Sequence, residues 1–80
     1  MSVAETVLSL LARVTETDEV LAQPDLELFE SGVLDSLRAV ELMVALSDAF
    51  GIELSPAEFE REQWATPARI VAYISARVGA

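Results

Sequence analysis

The stretch FESGVLDSLRAVELMVAL, residues 29–46, decides how this chain is read. A loop carrying Gly32 runs into Asp35-Ser36, and a long apolar pattern at helical spacing begins at once. Asp35 suits an N-cap, and Gly51 supplies the left-handed residue that stops a helix. The spacing therefore predicts a helix from Asp35 or Ser36 to Phe50. At about 100° per residue, Ala39, Leu42, Met43, Leu46, Ala49 and Phe50 gather into a core stripe. Leu37, Val40 and Val44 form a second apolar strip on the side of Ser36, flanked by Glu41 and Asp48. A peripheral helix needs to bury one stripe only. The second is either core covered by the preceding loop or an acid-rimmed docking surface for a basic, apolar groove.

Working outward, the flanks also read as helices. Val3, Val7, Leu10, Leu11 and Val14 recur at helical spacing, and Ser2 with Glu5 fits a capping box that starts this first helix. From Thr15 to Leu34 the periodicity weakens, with room for a short turn around Asp18 to Ala22. The rest of that segment reads as a long loop pinned by Leu26, Leu28 and Phe29. LSPAEFE, residues 54–60, predicts a short third helix with Ser55 as cap, Pro56 next and Glu58 closing a second box. Thr66 and Pro67 open a last helix whose inward stripe is Ile70, Val71, Ile74 and Val78. No segment reads as a strand. The expected fold is all-α, a small four-helix bundle of three main helices plus one short one. It forms a single domain over residues 1–80.

Composition narrows the function classes. Hydrophobic residues make up 52% of the 80, enough for a packed core and too many for a disordered chain. No apolar run approaches membrane-spanning length, and MSVAETV lacks the basic start of a signal peptide. A cytoplasmic protein without membrane insertion is expected. The net charge of −9 comes from fourteen acidic residues against five arginines and no lysine. Such a surface repels nucleic acid and anionic lipid and suits basic patches on other proteins. With no cysteine and no histidine, thiolate metal sites and thiol nucleophiles are excluded. A calcium loop counted from Asp25 places Glu30 where a turn glycine is required and Ser36 where a bidentate glutamate is required, so it fails.

Ser36 raises the chemical question. A serine nucleophile needs a base within reach, and the chain has neither histidine nor lysine. Asp35 is adjacent but better placed to cap, so a self-contained hydrolase is excluded and no enzyme is expected. A helix start instead offers free N–H groups and the positive dipole end, which favour a phosphate. A hydroxyl there suits modification by another protein, or it serves only as part of the cap.

GVLDSLRAVEL, residues 32–42, resembles the phosphopantetheine-attachment signature of acyl and peptidyl carrier proteins. The similarity extends over LFESG before it, FGIELSPAEF after it and the final amphipathic helix, essentially the whole chain. The resemblance implies a four-helix bundle in which Ser36 opens the second main helix. It also implies that a phosphopantetheinyl transferase moves 4′-phosphopantetheine from coenzyme A onto the Ser36 oxygen, with a magnesium ion on the coenzyme A diphosphate. Ser36 then needs no base of its own. The arm's thiol would carry cargo as a thioester between enzymes. By the same resemblance Asp35 contacts the transferase's basic surface, and Leu37, Val40, Glu41 and Val44 sit where carriers meet partners. Asp48 flanks that face. Arg38 is a departure, since fatty-acid carriers often have an acidic residue there. A positive charge beside the attachment site is expected to weaken docking to partners selected for an all-acidic helix.

EFEREQWATPARIVAYI, residues 58–74, narrows the kind of carrier. Its Trp-x-Thr-Pro run is similar to that of D-alanyl carrier proteins and related free-standing carriers that deliver amino acids in natural-product assembly. The resemblance implies loading by an ATP-dependent adenylating ligase and unloading by an acyltransferase or assembly-line synthase. The lysine-free, arginine-only composition suggests a GC-rich genome. It favours aminoacyl transfer in natural-product biosynthesis, such as a polyketide macrolactam or peptide pathway, with D-alanylation of teichoic acid as the alternative. An acidic helical adaptor that is never modified would use the same face and is the rival from another class.

Overall fold

A computed structural model describes residues 2–79, apart from the side chain of Glu58. Among the described residues the chain forms four α-helices and no strand: α1 Val3–Thr15, α2 Glu19–Ala22, α3 Ser36–Phe50 and α4 Pro67–Val78. The Ser2 hydroxyl accepts the Glu5 N–H at 3.1 Å and donates to the Glu5 carboxylate at 3.2 Å, so Ser2 starts α1 as its spacing implies. The helix ends at Glu16, a non-glycine residue at φ 58°. Asp35 caps α3, and Gly51 ends it at φ 65°. Thr66 caps α4 by accepting the Arg69 N–H at 3.1 Å, with Pro67 in the first turn where its missing N–H costs nothing.

The core is made by Val7 and Leu11 of α1, Val20 of α2, Leu28 and Leu34 of the long loop, Ala39, Leu42, Met43 and Leu46 of α3, Trp64, and Ile70 and Ile74 of α4. Four of the six residues expected in the α3 stripe are thus buried, and Phe50 is half-buried. Ala49 is exposed, against expectation. It lies at the edge of the stripe, roughly 70° from its centre at ~100° per residue, and its side chain is too short to reach back. On α4, Ile70 and Ile74 are buried as expected, while Val71 and Val78 are half-buried at the margin.

The expected short third helix is replaced by two 3₁₀ turns, Pro56–Glu58 and Arg61–Trp64, separated by extended residues Phe59 and Glu60. Two aromatic side chains explain the break. Phe59 and Trp64 are five residues apart, so a continuous helix would set them about 140° apart. With the helix interrupted, both turn inward, and their ring centroids lie 5.8 Å apart. Ser55 caps the first turn through the Ala57 N–H at 3.2 Å. The Glu58 half of the expected capping box lies outside the described residues. The bundle therefore has three long helices, and its one short α-helix is α2.

The loop between α2 and α3 takes a course that matters for the site. The Leu28 N–H donates to the Ala65 carbonyl at 2.8 Å, and the Ala68 N–H donates to the Pro24 carbonyl at 3.0 Å. Leu28 and Leu34 are fully buried, and the Leu34 N–H closes the loop on the Leu28 carbonyl at 3.0 Å. Leu26 and Phe29, also expected as pins, are half-buried. The loop is thereby tied to the start of α4 and leaves one side of α3 uncovered.

Candidate functional site

Local geometry at the start of α3 divides two duties between adjacent residues. The Asp35 carboxylate accepts the Arg38 N–H at 2.9 Å, which satisfies one of the free donors of the first turn. Among the described residues the Ser36 hydroxyl has no hydrogen-bond partner, and Ser36 is exposed as the first residue of the 15-residue helix. The dipole end of that helix favours a negative group at this point.

Because the loop lies elsewhere, the second apolar strip is open. Leu37 is 70%, Val40 41% and Val44 57% exposed, so the loop does not cover this strip. Glu41 and Asp48 are exposed beside them, and Asp35 is exposed at the top. Ser36, Val40 and Val44 rise along one side of α3 with the carboxylates to one flank. Isolated exposed apolar residues mean little, but here three share one helix face with a charged rim.

Arg38 turns away from the side of α3 that carries Ser36, Val40 and Val44. Its guanidinium points to the end of α1, where it donates to the Val14 carbonyl and, at 3.3 Å, to the Glu16 carboxylate. On the helix wheel Arg38 lies about 160° from Val40 and about 60° from Glu41. Charge pairing with Glu16 further masks it.

Four residues join the site that the sequence did not single out for it: Ala39, Met43, Pro56 and Phe59. A cleft of about 200 Å³ next to Ser36 is lined by Ala39, Val40, Met43, Pro56 and Phe59. Pro56 and Phe59 come from the segment of 3₁₀ turns, some twenty residues downstream, and no local signal ties them to Ser36. An exposed hydroxyl at a helix start, beside a mostly apolar cleft, fits a phosphodiester-linked arm: the phosphate at the positive helix end, an uncharged chain along the cleft wall.

A family model described as phosphopantetheine attachment site matches residues 5–74. The chain is 43% identical over 76 residues to a D-alanyl carrier protein of Enterococcus faecalis, covering 95% of this chain and 97% of that one. It is 46% identical over 71 residues to a D-alanyl carrier protein of Bacillus velezensis, covering 89% and 91%. Proteins of this family are not enzymes themselves; they serve a phosphopantetheinyl transferase and ligases. Family match, whole-length relatives and an all-helical fold agree: this chain belongs to the phosphopantetheine-attachment family, a carrier protein whose cofactor is covalent 4′-phosphopantetheine.

Proposed function

We propose that Ser36 bears the arm and that residues 1–80 act as a D-alanyl carrier domain. The observation that carries this reading is the exposed, uncommitted Ser36 hydroxyl at the head of α3, in a chain matched along nearly its whole length by D-alanyl carrier proteins. When bound, the arm supplies a thiol that holds an acyl group as a thioester. The chain's own residues do the rest. Asp35 caps α3 and offers a carboxylate to a basic transferase surface. Leu37, Val40 and Val44, with Glu41 and Asp48, form an apolar strip with an acidic rim. An adenylating ligase and then an acyltransferase dock there in turn. Complementary charge speeds such encounters and rejects wrong partners more than it tightens them, which suits a carrier that must leave each enzyme after one transfer.

Natural-product assembly, the setting that composition favours, now stands second. Both relatives are named D-alanyl carrier proteins, and a lysine-free composition reports on codons more than on cargo. The unmodified adaptor yields too, since the matching family is named for an attachment site. Among the described residues no helix is long and apolar enough to cross a membrane.

The test has two steps. Incubation with coenzyme A and a promiscuous phosphopantetheinyl transferase, read by intact mass, should add one arm to the wild-type chain and none to Ser36→Ala. The modified protein is then offered D-alanine, L-alanine and a panel of other amino acids with its adenylating ligase. Preferential thioester formation with D-alanine supports the proposal; preference for another amino acid moves the protein to the second reading.

A further inference from the structure

The attachment site is held by a contact from outside its own helix. We infer that Arg38 is a positioning residue, a clasp that joins the C-terminal end of α1 to the first turn of α3 and so sets the Asp35-Ser36 turn. This rests on the reading of Ser36 as the attachment residue.

Arg38 is engaged at both ends. Its main-chain N–H is held by the Asp35 carboxylate at 2.9 Å. Its guanidinium donates from Nη1 to the Val14 carbonyl and from Nη2 to the Glu16 carboxylate at 3.3 Å. Val14 lies in the last turn of α1, where carbonyls lack intrahelical donors, and a cation there also meets the negative dipole end. The acceptors lie 24 and 22 residues from Arg38 in sequence, so a single side chain spans the whole α1–α3 connection. An exposed ion pair alone would be worth little. Here the Arg38 side chain is only 35% exposed and the carbonyl bond is partly buried, so water screens it less.

Position ties the clasp to function. Val14, Glu16, Asp35, Leu37 and Glu41 line one surface depression, and Arg38 spans it from the α1 side to the α3 side. Three of these residues, Asp35, Leu37 and Glu41, also belong to the docking face. Releasing the guanidinium frees the first turn of α3 while leaving the strip of Leu37, Val40 and Val44 chemically intact. The consequence is loss of alignment of the Ser36 oxygen without loss of docking. Lysine keeps the charge but offers no planar fork, so it can serve one acceptor well and not both.

The full-length wild-type chain, Arg38→Ala and Arg38→Lys are compared by residue-resolved hydrogen exchange before modification, and by steady-state kinetics of arm transfer with a phosphopantetheinyl transferase. For Arg38→Ala, exchange at the amides of residues 38 and 39, both held by Asp35, should rise about fivefold, the factor equivalent to ~1 kcal/mol. Exchange at Ile70 to Ile74 should stay as in wild type. The transferase kcat should fall by a similar factor with KM unchanged, and Arg38→Lys should recover part of it. Faster exchange spread equally over α3 and α4 would overturn the clasp, because Arg38 would then act on global stability alone. Wild-type kcat in Arg38→Ala would overturn it as well. A wild-type chain that accepts no arm would instead refute the Ser36 reading, and the exchange pattern would then decide the clasp by itself.

Discussion

The Asp35 carboxylate accepts the Arg38 N–H at 2.9 Å, and this one bond both starts α3 and frees the serine between them. A cap made by Ser36 would have engaged the hydroxyl proposed above to bear the arm. With the cap one residue upstream, the helix start and the Ser36 oxygen stay separate.

That division makes the two properties of Asp35 separable by mutation. Asparagine caps as well as aspartate, whereas alanine costs about 1 kcal/mol. Asp35→Asn should therefore keep wild-type stability in urea and raise the transferase KM, because only the charge is lost. Asp35→Ala should lose both. If Asp35→Asn is modified like wild type, the carboxylate contributes nothing to docking beyond its cap.

Val40→Asp tests the docking strip. At 41% exposure Val40 should tolerate the change, with helicity by circular dichroism nearly intact and stability altered by no more than ~1 kcal/mol. Loading by the ligase should fall about tenfold or more, the effect of a charge desolvated in an apolar contact. Leu42→Ala, about 160° round α3 from Val40 and fully buried, should do the opposite: a loss of about 2–5 kcal/mol with the docking face unchanged. Unfolding of Val40→Asp would show that its side chain is needed in the core.

Ionic strength offers a check without mutation. The screening length shrinks from about 30 Å at 0.01 M salt to about 8 Å at 0.15 M. A chain of net charge −9 that docks through Asp35, Glu41 and Asp48 should show a ligase KM that rises over this range, while kcat holds. A flat KM would assign the contact to the apolar residues alone.

Glu16 sits at φ 58°, a conformation that costs an L-residue roughly 1–2 kcal/mol. Glu16→Gly removes that cost and gives up an exposed ion pair of smaller worth, so the melting temperature should hold or rise slightly. Glu16→Val, β-branched, should lower it. A clear drop in Glu16→Gly would mean that the pairing with Arg38 outweighs the backbone strain.

Trp64 is 1% exposed, with Phe59 at 5.8 Å and Tyr73 at 5.5 Å between ring centroids. Trp64→Ala should cost about 3–5 kcal/mol, a large part of what an 80-residue domain has. Trp64→Phe should cost less. Equal stability of the two variants would show that the cluster repacks around the missing ring.

Much of this protein could be read from local chemistry in the chain. Apolar residues at three- and four-residue spacing, with Ser2, Asp35 and Thr66 at the starts and Gly51 at the end of α3, marked the three long helices within a residue or two. The reason is that caps and periodicity act over one or two turns and need no distant partner. The absence of histidine, lysine and cysteine likewise ruled out a self-activated nucleophile, and the run around Ser36 pointed to a family that the comparisons bear out. The exposure of Leu37, Val40 and Val44 was not legible, since a helix wheel shows which residues share a face and not what covers it. That depended on the loop pairing Leu28 with Ala65 and Pro24 with Ala68, bonds spanning about forty residues that turn the loop away from α3. The orientation of Arg38 and the break between the 3₁₀ turns were settled in the same way, by a carbonyl at the end of α1 and by two aromatic rings seeking one core. What rests on nearest neighbours is written in the sequence; what rests on which surfaces meet is determined only when the chain packs.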